Sequence, residues 1–277
     1  MLDGPRIYCI PASQAPVLAV IRRGPSDWCH IGRWDLAEAA FHSGAWLRGT
    51  VFPQKCDLSP DGRWLLCSVH KGGAKWAGGE VYEAISRLPW LTALAAWEAG
   101  TTYTRGFHFD EEQGASEVGE PDFGDATPCL ARYGLKVTRA IQFAVERRRG
   151  WIETADTEAR ERGGHWDEGR HVRMEKHGLA SAQGKVLYVE GTYAAFRSLH
   201  NARDPATYSL EVDGERRELA GIQWADWDAT GRLLVATTAG KLQIREPSGD
   251  AGSVVFEEDL DPLTPQPEPA PDWATKW

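Results

Sequence analysis

Short apolar runs separated by Gly-containing turns recur along this chain of 277 residues. Runs of about four to eight apolar residues between turn residues are more typical of β-strands than of helices. The clearest strands predicted in this way span residues 17–22 and 28–35. Hairpins are predicted over residues 90–109, 137–154 and 208–219, and the last contains the Asp-Gly dipeptide that favours a tight hairpin turn. The pattern therefore predicts an all-β protein.

One hairpin motif occurs twice. Residues 56–68 read CDLSPDGRWLLCS, and residues 225–237 read ADWDATGRLLVAT. Each copy has an Asp followed by an apolar residue, then a turn that ends in Gly-Arg, then an apolar run. In the turns, Gly62 and Gly231 take a position where φ is often positive. A hairpin unit that recurs along a chain indicates a repeat architecture.

The two turns begin with different residues, but both side chains can form the same type of hydrogen bond. Ser59 and Asp228 each carry an oxygen that can accept hydrogen bonds from the backbone of their own turn. We therefore expect the two copies to form equivalent hairpins although their turn sequences are not identical.

This repeated unit resembles the blades of β-propellers, in particular the TolB-like and WD40-like repeats. The resemblance lies in residues 57–66 and 226–235. The chain also contains two pairs similar to the Trp-Asp dipeptide of WD40 repeats, Trp34-Asp35 and Trp227-Asp228. The units lack the Gly-His that opens each WD40 repeat, so no subfamily is assigned.

Turn signals recur near Gly62, Gly100, Gly150, Gly184 and Gly231, at a spacing close to the ~40–45 residues of a four-stranded blade. We predict a small β-propeller of about five blades, within a range of four to six, over residues 1–260. A two-sheet β-sandwich is the alternative, because it would use the same strands without radial repetition.

The segment 261–277 has a different composition. Its prolines, at positions 262, 265, 267, 269 and 271, predict an extended tail that builds no core of its own. Two alternatives are open: the tail is loose, or Trp273 and Trp277 dock on the domain or on a partner.

Charge and cysteine content exclude some classes of protein. The net charge of −9 argues against a general nucleic-acid binder and against attraction to an anionic membrane. The five cysteines include no Cys-x-x-Cys, which favours reduced, buried thiols in a cytoplasmic protein. No apolar window reaches the length of a membrane span. We expect a cytoplasmic protein, monomeric on its own, with neither nucleic-acid nor membrane partners.

Catalytic motifs are missing from the sequence. It contains neither a Gly-x-Ser-x-Gly elbow nor a His-Glu-x-x-His zinc motif. His165, His171 and His177 recur every six residues, but on an extended strand they lie too far apart for one Zn²⁺. The acidic segment 110–125 does not have the ligand spacing of an EF-hand. Both regions are therefore predicted to be solvated surface.

Asp57 and Asp226 occupy equivalent positions in the two motif copies, and two interpretations are open. In the structural one, each carboxylate caps the turn or accepts hydrogen bonds from backbone donors of a neighbouring blade. In the functional one, they line a central channel, which is how metal-dependent lactonase-like propellers arrange their ligands. There they would hold Ca²⁺ or Zn²⁺, which polarises an ester carbonyl.

The main functional hypothesis is a non-catalytic protein-interaction scaffold whose rim loops bind another protein, without a cofactor. Its candidate anchors are aromatic and imidazole side chains, the types that dominate interface energetics: Trp28, His30, Trp34, Trp76, Trp166 and Trp224. One alternative is a metal-dependent, lactonase-like hydrolase with Ca²⁺ or Zn²⁺ at Asp57 and Asp226. The other is a small-ligand or glycan-binding module.

Overall fold

The computed structural model describes residues 4–72, 79–99, 102, 106–109, 127–139, 143–154, 171–197, 205–246 and 252–277. The chain divides into two compact units. Unit 1 comprises Met1–Tyr8 and Glu146–Leu263, and unit 2 comprises Cys9–Val145 and Thr264–Trp277.

The first sheet is a meander of four consecutive strands in the order β1-β2-β3-β4. They are β1 (Arg6–Pro11), β2 (Val17–Arg23), β3 (Trp28–Asp35) and β4 (Ala40–Arg48). Strand β3 is antiparallel to both β2 and β4. Every residue of β2 except the last is buried, which explains why its sequence is a continuous apolar run rather than an alternating one.

Unit 2 contains two further sheets. One has the order β5-β7-β8-β9, with β6 paired to β7; its strands are β5 (Thr50–Val51), β6 (Asp57–Leu58), β7 (Trp64–His70), β8 (Val81–Arg87) and β9 (Ala95–Glu98). The other pairs β10 (Phe107–Phe109) with β11 (Val137–Arg139), and helix α1 (Thr127–Arg132) precedes β11.

Unit 1 contains a five-stranded and a four-stranded sheet, each with its strands in chain order. The first comprises β12 (Ile152–Glu153), β13 (His171–His177), β14 (Lys185–Thr192), β15 (Thr207–Val212) and β16 (Glu215–Glu218). The second comprises β17 (Ile222–Trp227), β18 (Leu233–Thr237), β19 (Lys241–Glu246) and β20 (Ser253–Asp259). The short helices α2 (Ala144–Arg148) and α3 (Tyr193–Arg197) lie outside these sheets.

The two motif copies form equivalent hairpins, β6–β7 and β17–β18, as predicted. In the first, the Trp64 N–H donates to Ser59 Oγ at 2.9 Å. In the second, the Thr230 and Arg232 N–H groups donate to Asp228 Oδ1 at 2.9 and 2.8 Å. The glycines that close the turns have φ of 72° and 85°, the left-handed region that glycine adopts without strain.

The all-β prediction is confirmed, and the sheets are consistent with a small propeller. Four of the five described sheets have four or five strands, built from neighbours in the chain. Up-and-down meanders of this kind are the connectivity of propeller blades, whereas a sandwich interleaves its strands through Greek-key crossovers. Within the described ranges, no helix is long and apolar enough to cross a membrane.

Two of the predicted hairpins are wrong. Strand β9 pairs with β8 and β10 pairs with β11, so the described strands before and after Gly100 do not pair with each other. The segment predicted as a hairpin over 137–154 contains helix α2, because Ala144–Arg148 is rich in residues with high helix propensity. The hairpin of β15 and β16 is confirmed, and Asp213 and Gly214 both have positive φ, as a type I′ turn requires.

The C-terminal residue of the tail packs into the core of unit 2. This core contains Trp64, Leu66, Ile85, Phe107, Phe109 and Leu130, with Tyr133 and Trp277 packed against it. The Trp277 ring lies 5.4 Å from that of Trp64 and is stacked on that of Tyr133 at 6.2 Å. Of the two alternatives for the tail, the structure therefore shows the docked one for Trp277.

Candidate functional site

A cleft of about 350 Å³, here called the Trp273 cleft, lies in unit 2. Its lining comes from three segments that are distant in sequence. These are the β3–β4 hairpin with Arg33, Asp35, Glu38, His42 and Ser43, the segment after β8 with Leu88, Pro89 and Trp90, and the tail with Trp273. Its volume is in the range of small-ligand sites, which begin at ~300 Å³.

The β3–β4 turn shapes the first wall through Asp35. Its Oδ1 accepts the N–H groups of Ala37 and Glu38 at 3.0 and 3.1 Å, and its Oδ2 accepts Arg33 Nη2 at 2.8 Å. Burial alone would raise the pKa of the Asp35 carboxyl, but the hydrogen bonds from Glu38 N–H and Arg33 outweigh it and lower that pKa. Asp35 is therefore an ionised anchor of the turn.

The second wall packs closely on β4 because position 44 is a glycine. A Cβ atom there would lie 2.2 Å from the Pro89 carbonyl oxygen. That oxygen accepts the Ala45 N–H at 3.0 Å, which attaches the segment containing Trp90 to the strand. Any larger residue at position 44 would push this wall outward.

The third wall is Trp273, whose side chain is 52% exposed. It lies in a short 3₁₀ helix, Asp272–Ala274, and the next residue, Ala274, is fully buried. A large exposed indole beside a concave surface is the type of residue that anchors binding partners.

The charged groups of the cleft are arranged in two pairs. Arg33 contacts Asp35, and His42 Nε2 lies 3.6 Å from a carboxylate oxygen of Glu38. With His42 neutral, the lining carries one cation and two carboxylates. The Arg33 Nε atom is buried and has no hydrogen-bond partner among the described residues. The cleft therefore offers both donors and acceptors beside its indole rings.

Ser43, at the edge of the cleft, contacts the buried His30. Its Oγ lies 2.9 Å from His30 Nε2, and the Gly44 N–H donates to the same nitrogen at 3.3 Å. His30 Nδ1 must then carry the proton, and it has no hydrogen-bond partner among the described residues. Burial, together with the positive charge of Arg22, lowers the pKa of His30 to about 4.

These features make His30 a poor general base for Ser43. A general base works best with a pKa near the operating pH, and a third group normally orients its other nitrogen. His30 has neither. The Ser43–His30 contact therefore stabilises the β3–β4 hairpin and is not arranged as a nucleophile with its base.

The same burial predicts a pH dependence of stability. Because the pKa of His30 is about 4 in the folded protein and 6.5 in the unfolded chain, the unfolded state binds more protons between these values. The contribution of neutral His30 to the free energy of unfolding is therefore present above pH 6.5 and is lost as the pH falls towards 4. We expect a loss of about 2 kcal/mol between pH 7.5 and pH 5 from this group alone. Urea unfolding of wild type and His30→Gln at both pH values measures it, and equal pH dependence in the two proteins would contradict the prediction.

The predicted anchors lie in different environments. Trp34 and His30 are fully buried and Trp224 is 4% exposed, so these side chains pack within sheets and are not presented to solvent. Trp28 is half-buried, with its ring 6.4 Å from that of Trp46, and it stays a predicted anchor. Trp76 and Trp166 lie outside the described residues.

Asp57 and Asp226 each join two sheets within their own unit. Asp57, fully buried in β6, accepts the N–H of Leu58 and that of Phe109 in β10, both at 2.8 Å. Asp226, in β17, accepts the Trp227 N–H at 2.7 Å and Lys176 Nζ of β13 at 2.5 Å. These contacts are of the kind that the structural interpretation of the two carboxylates describes, except that one donor to Asp226 is an ammonium group and not a backbone amide.

No group of three or more metal-ligating side chains occurs within the described ranges. His171 and His177 lie exposed at the two ends of β13, as the solvated-surface prediction expects. His165 and the acidic segment 110–125 are outside the described residues. All five cysteines are free thiols, and burial raises the pKa of Cys29 and Cys67 to about 12.

Sequence reasoning missed the Trp273 cleft because no short motif encodes it. Its three walls are brought together only by folding. The one signal available was the pair of tryptophans in the Pro-rich tail, for which docking was one of two open alternatives.

Comparison with known proteins finds only weak structural similarity. No family model and no curated protein matches the chain. Among solved structures, an uncharacterised protein from Listeria monocytogenes EGD-e aligns with 92% of this chain and 66% of its own, at 9% identity and a TM-score of 0.26. The WD40 domain of SCAP from fission yeast aligns with 91% of this chain and 45% of its own, at 10% identity and a TM-score of 0.26.

The chain thus spans less than two thirds of either structure's length, and the structural similarity is weak. The class of the protein is defined by its own sheets and cleft. It is an all-β protein of repeated, blade-like antiparallel sheets, and unit 2 carries a cleft with aromatic walls.

Proposed function

We propose that this protein is a non-catalytic protein-interaction scaffold and that the Trp273 cleft binds an extended segment of a partner protein. The observation that carries the proposal is the half-exposed indole of Trp273 at the mouth of a concave surface that also contains Trp90. Trp and Arg are the residue types most enriched among interface residues with large energetic effects, and the cleft contains both.

The chemistry of the cleft supports binding more than catalysis. Its charged side chains are paired with one another, and the nearest hydroxyl–imidazole contact has a weak base with a pKa of about 4. The hydrolase alternative finds no support in Asp57 and Asp226, because each carboxylate already accepts two hydrogen bonds from its own surroundings.

A partner segment that is extended fits this site for two reasons. The lining of the cleft includes Pro89 and the indoles of Trp90 and Trp273, and aromatic-lined grooves are sites that bind extended peptides. In addition, unit 2 already accommodates one extended, Pro-rich segment, the protein's own tail.

Site-specific photo-crosslinking tests the proposal. The photoreactive residue p-benzoylphenylalanine replaces Trp273 in one variant and Val255 in another, because these two side chains are equally exposed, at 52% and 53%. After irradiation in cells that express the protein naturally, we expect a discrete protein adduct from position 273 and not from position 255.

The adduct must also depend on the cleft. Glu38→Lys should reduce its yield about tenfold, since a charge reversal inside an interface costs roughly 1.4 kcal/mol or more. Glu215→Lys is the matched control, because Glu215 is likewise an exposed carboxylate but is not part of the cleft lining. An adduct that both variants leave unchanged, or no adduct from position 273, would contradict the proposal.

A second candidate function, glycan binding, is favoured by one observation. The lining of the cleft combines donors on Arg33 and Ser43 and acceptors on Glu38 with two indoles, and such a combination suits sugar hydroxyls and an apolar sugar face. A glycan array probed with wild type and Glu38→Ala separates the two functions. Sugar binding that requires Glu38, without any protein adduct, would favour this second function.

A further inference from the structure

The tail carries two tryptophans with opposite environments. Trp273 is half exposed and forms a wall of the cleft, whereas Trp277 packs against Trp64 and Tyr133 in the core of unit 2. Both belong to the segment Thr264–Trp277, which is part of unit 2.

The residues between the two tryptophans form a short, ordered link. The Ala274 N–H donates to the Pro271 carbonyl at 2.8 Å, and the Thr275 N–H and hydroxyl donate to the Asp272 carbonyl at 3.2 and 2.8 Å. Ala274 itself is fully buried. A displacement of Trp277 is therefore transmitted to Trp273 through about one helical turn.

The chain before this link provides little attachment. Its prolines have no backbone N–H and cannot donate hydrogen bonds to a neighbouring strand. The contacts that hold this end of the tail include the aromatic contacts of Trp277 and the burial of Ala274. Each such aromatic pair contributes ~0.5–1.5 kcal/mol beyond the burial of apolar area.

We infer that Trp277 is a positioning residue of the Trp273 cleft: its docking in the core of unit 2 places Trp273 as a wall of the binding site. The inference rests on the proposed function for its effect on binding, while its structural part is independent of any partner. Because only the docked tail completes the cleft, partner binding and tail docking are linked, and each stabilises the other. If a variant docks its tail only a fraction of the time, its apparent affinity falls by that fraction.

Hydrogen exchange on the full-length protein tests the structural part without a partner. In Trp277→Ala we expect the amides of Ala274 and Thr275 to exchange on the order of tenfold faster or more. Trp277→Phe keeps an aromatic ring and should restore slow exchange, and Trp273→Ala should stay close to wild type. Exchange in β2 and β3 serves as the internal control, because it should not change if unit 2 remains folded.

Photo-crosslinking from position 273 then tests the effect on binding. The adduct yield should fall about tenfold in Trp277→Ala and recover in Trp277→Phe. Unchanged exchange at Ala274 in Trp277→Ala would overturn the inference outright. Faster exchange with an unchanged adduct would overturn positioning and leave the proposed function intact. Faster exchange with no adduct even in wild type would contradict the proposed function and still support the anchoring of the cleft wall by Trp277.

Discussion

Replacing Asp226 by Ala is expected to lower the free energy of unfolding by about 4 kcal/mol. The Asp226 side chain is 3% exposed and the Lys176 side chain 15%, so the substitution leaves an ammonium group largely buried without its carboxylate. It also removes the acceptor of the Trp227 N–H. Urea-induced unfolding followed by circular dichroism measures the loss.

A double variant separates the cost of an unpaired charge from the value of the pair. In Asp226→Leu/Lys176→Met both charges are gone, and a buried ion pair replaced by apolar residues is often close to neutral in stability. We expect the double variant to regain most of the lost stability. If it is as unstable as Asp226→Ala, the ion pair itself and not the orphaned charge stabilises the contact between β13 and β17.

Replacing Asp57 by Ala is expected to destabilise unit 2 by about 3 kcal/mol. The change leaves the N–H groups of Leu58 and Phe109 without the buried carboxylate that now accepts them. Hydrogen bonds to a charged group contribute ~1.5–3 kcal/mol each, and a buried N–H group that loses its acceptor costs ~1–3 kcal/mol. Unfolding by urea, followed as above, gives the value.

The matched control for Asp57 lies in the same hairpin. Asp61 also accepts hydrogen bonds, from the Arg63 N–H and the Ser59 hydroxyl, but its side chain is 40% exposed. Asp61→Ala should therefore cost less than about 1 kcal/mol. If Asp57→Ala and Asp61→Ala lose the same free energy of unfolding, the hydrogen bond from Asp57 to β10 adds nothing to stability, which would contradict the prediction.

The sequence was most informative where local chemistry determines local structure. The two copies of the hairpin motif folded alike because Gly62 and Gly231 permit positive φ and because Ser59 and Asp228 satisfy the turn backbone. Prediction failed where a local pattern was compatible with two kinds of secondary structure. The apolar and basic residues of 144–148 suit either a strand end or a helix, and the structure contains a helix there.

The candidate site could be predicted only in fragments. Burial of Trp34 and Trp224 depends on how sheets pack, and composition alone does not reveal it. The Trp273 cleft joins a hairpin, a loop after β8 and the tail, and each of them is unremarkable alone. Periodicity describes neighbours within one element and carries no information on such long-range encounters.

The stacking of Trp277 on Tyr133 and its packing against Trp64 have a consequence for biosynthesis. The chain leaves the ribosome with its N-terminus first. Strands β2 to β11 therefore emerge long before Trp277, whose indole completes their core. During that interval the surface around Trp64 and Tyr133 is exposed to other nascent chains and to chaperones. Contacts between such distant positions also slow folding, since the intervening chain must be ordered before they can form. Loss of the Trp277 contacts would expose the same surface in the folded protein.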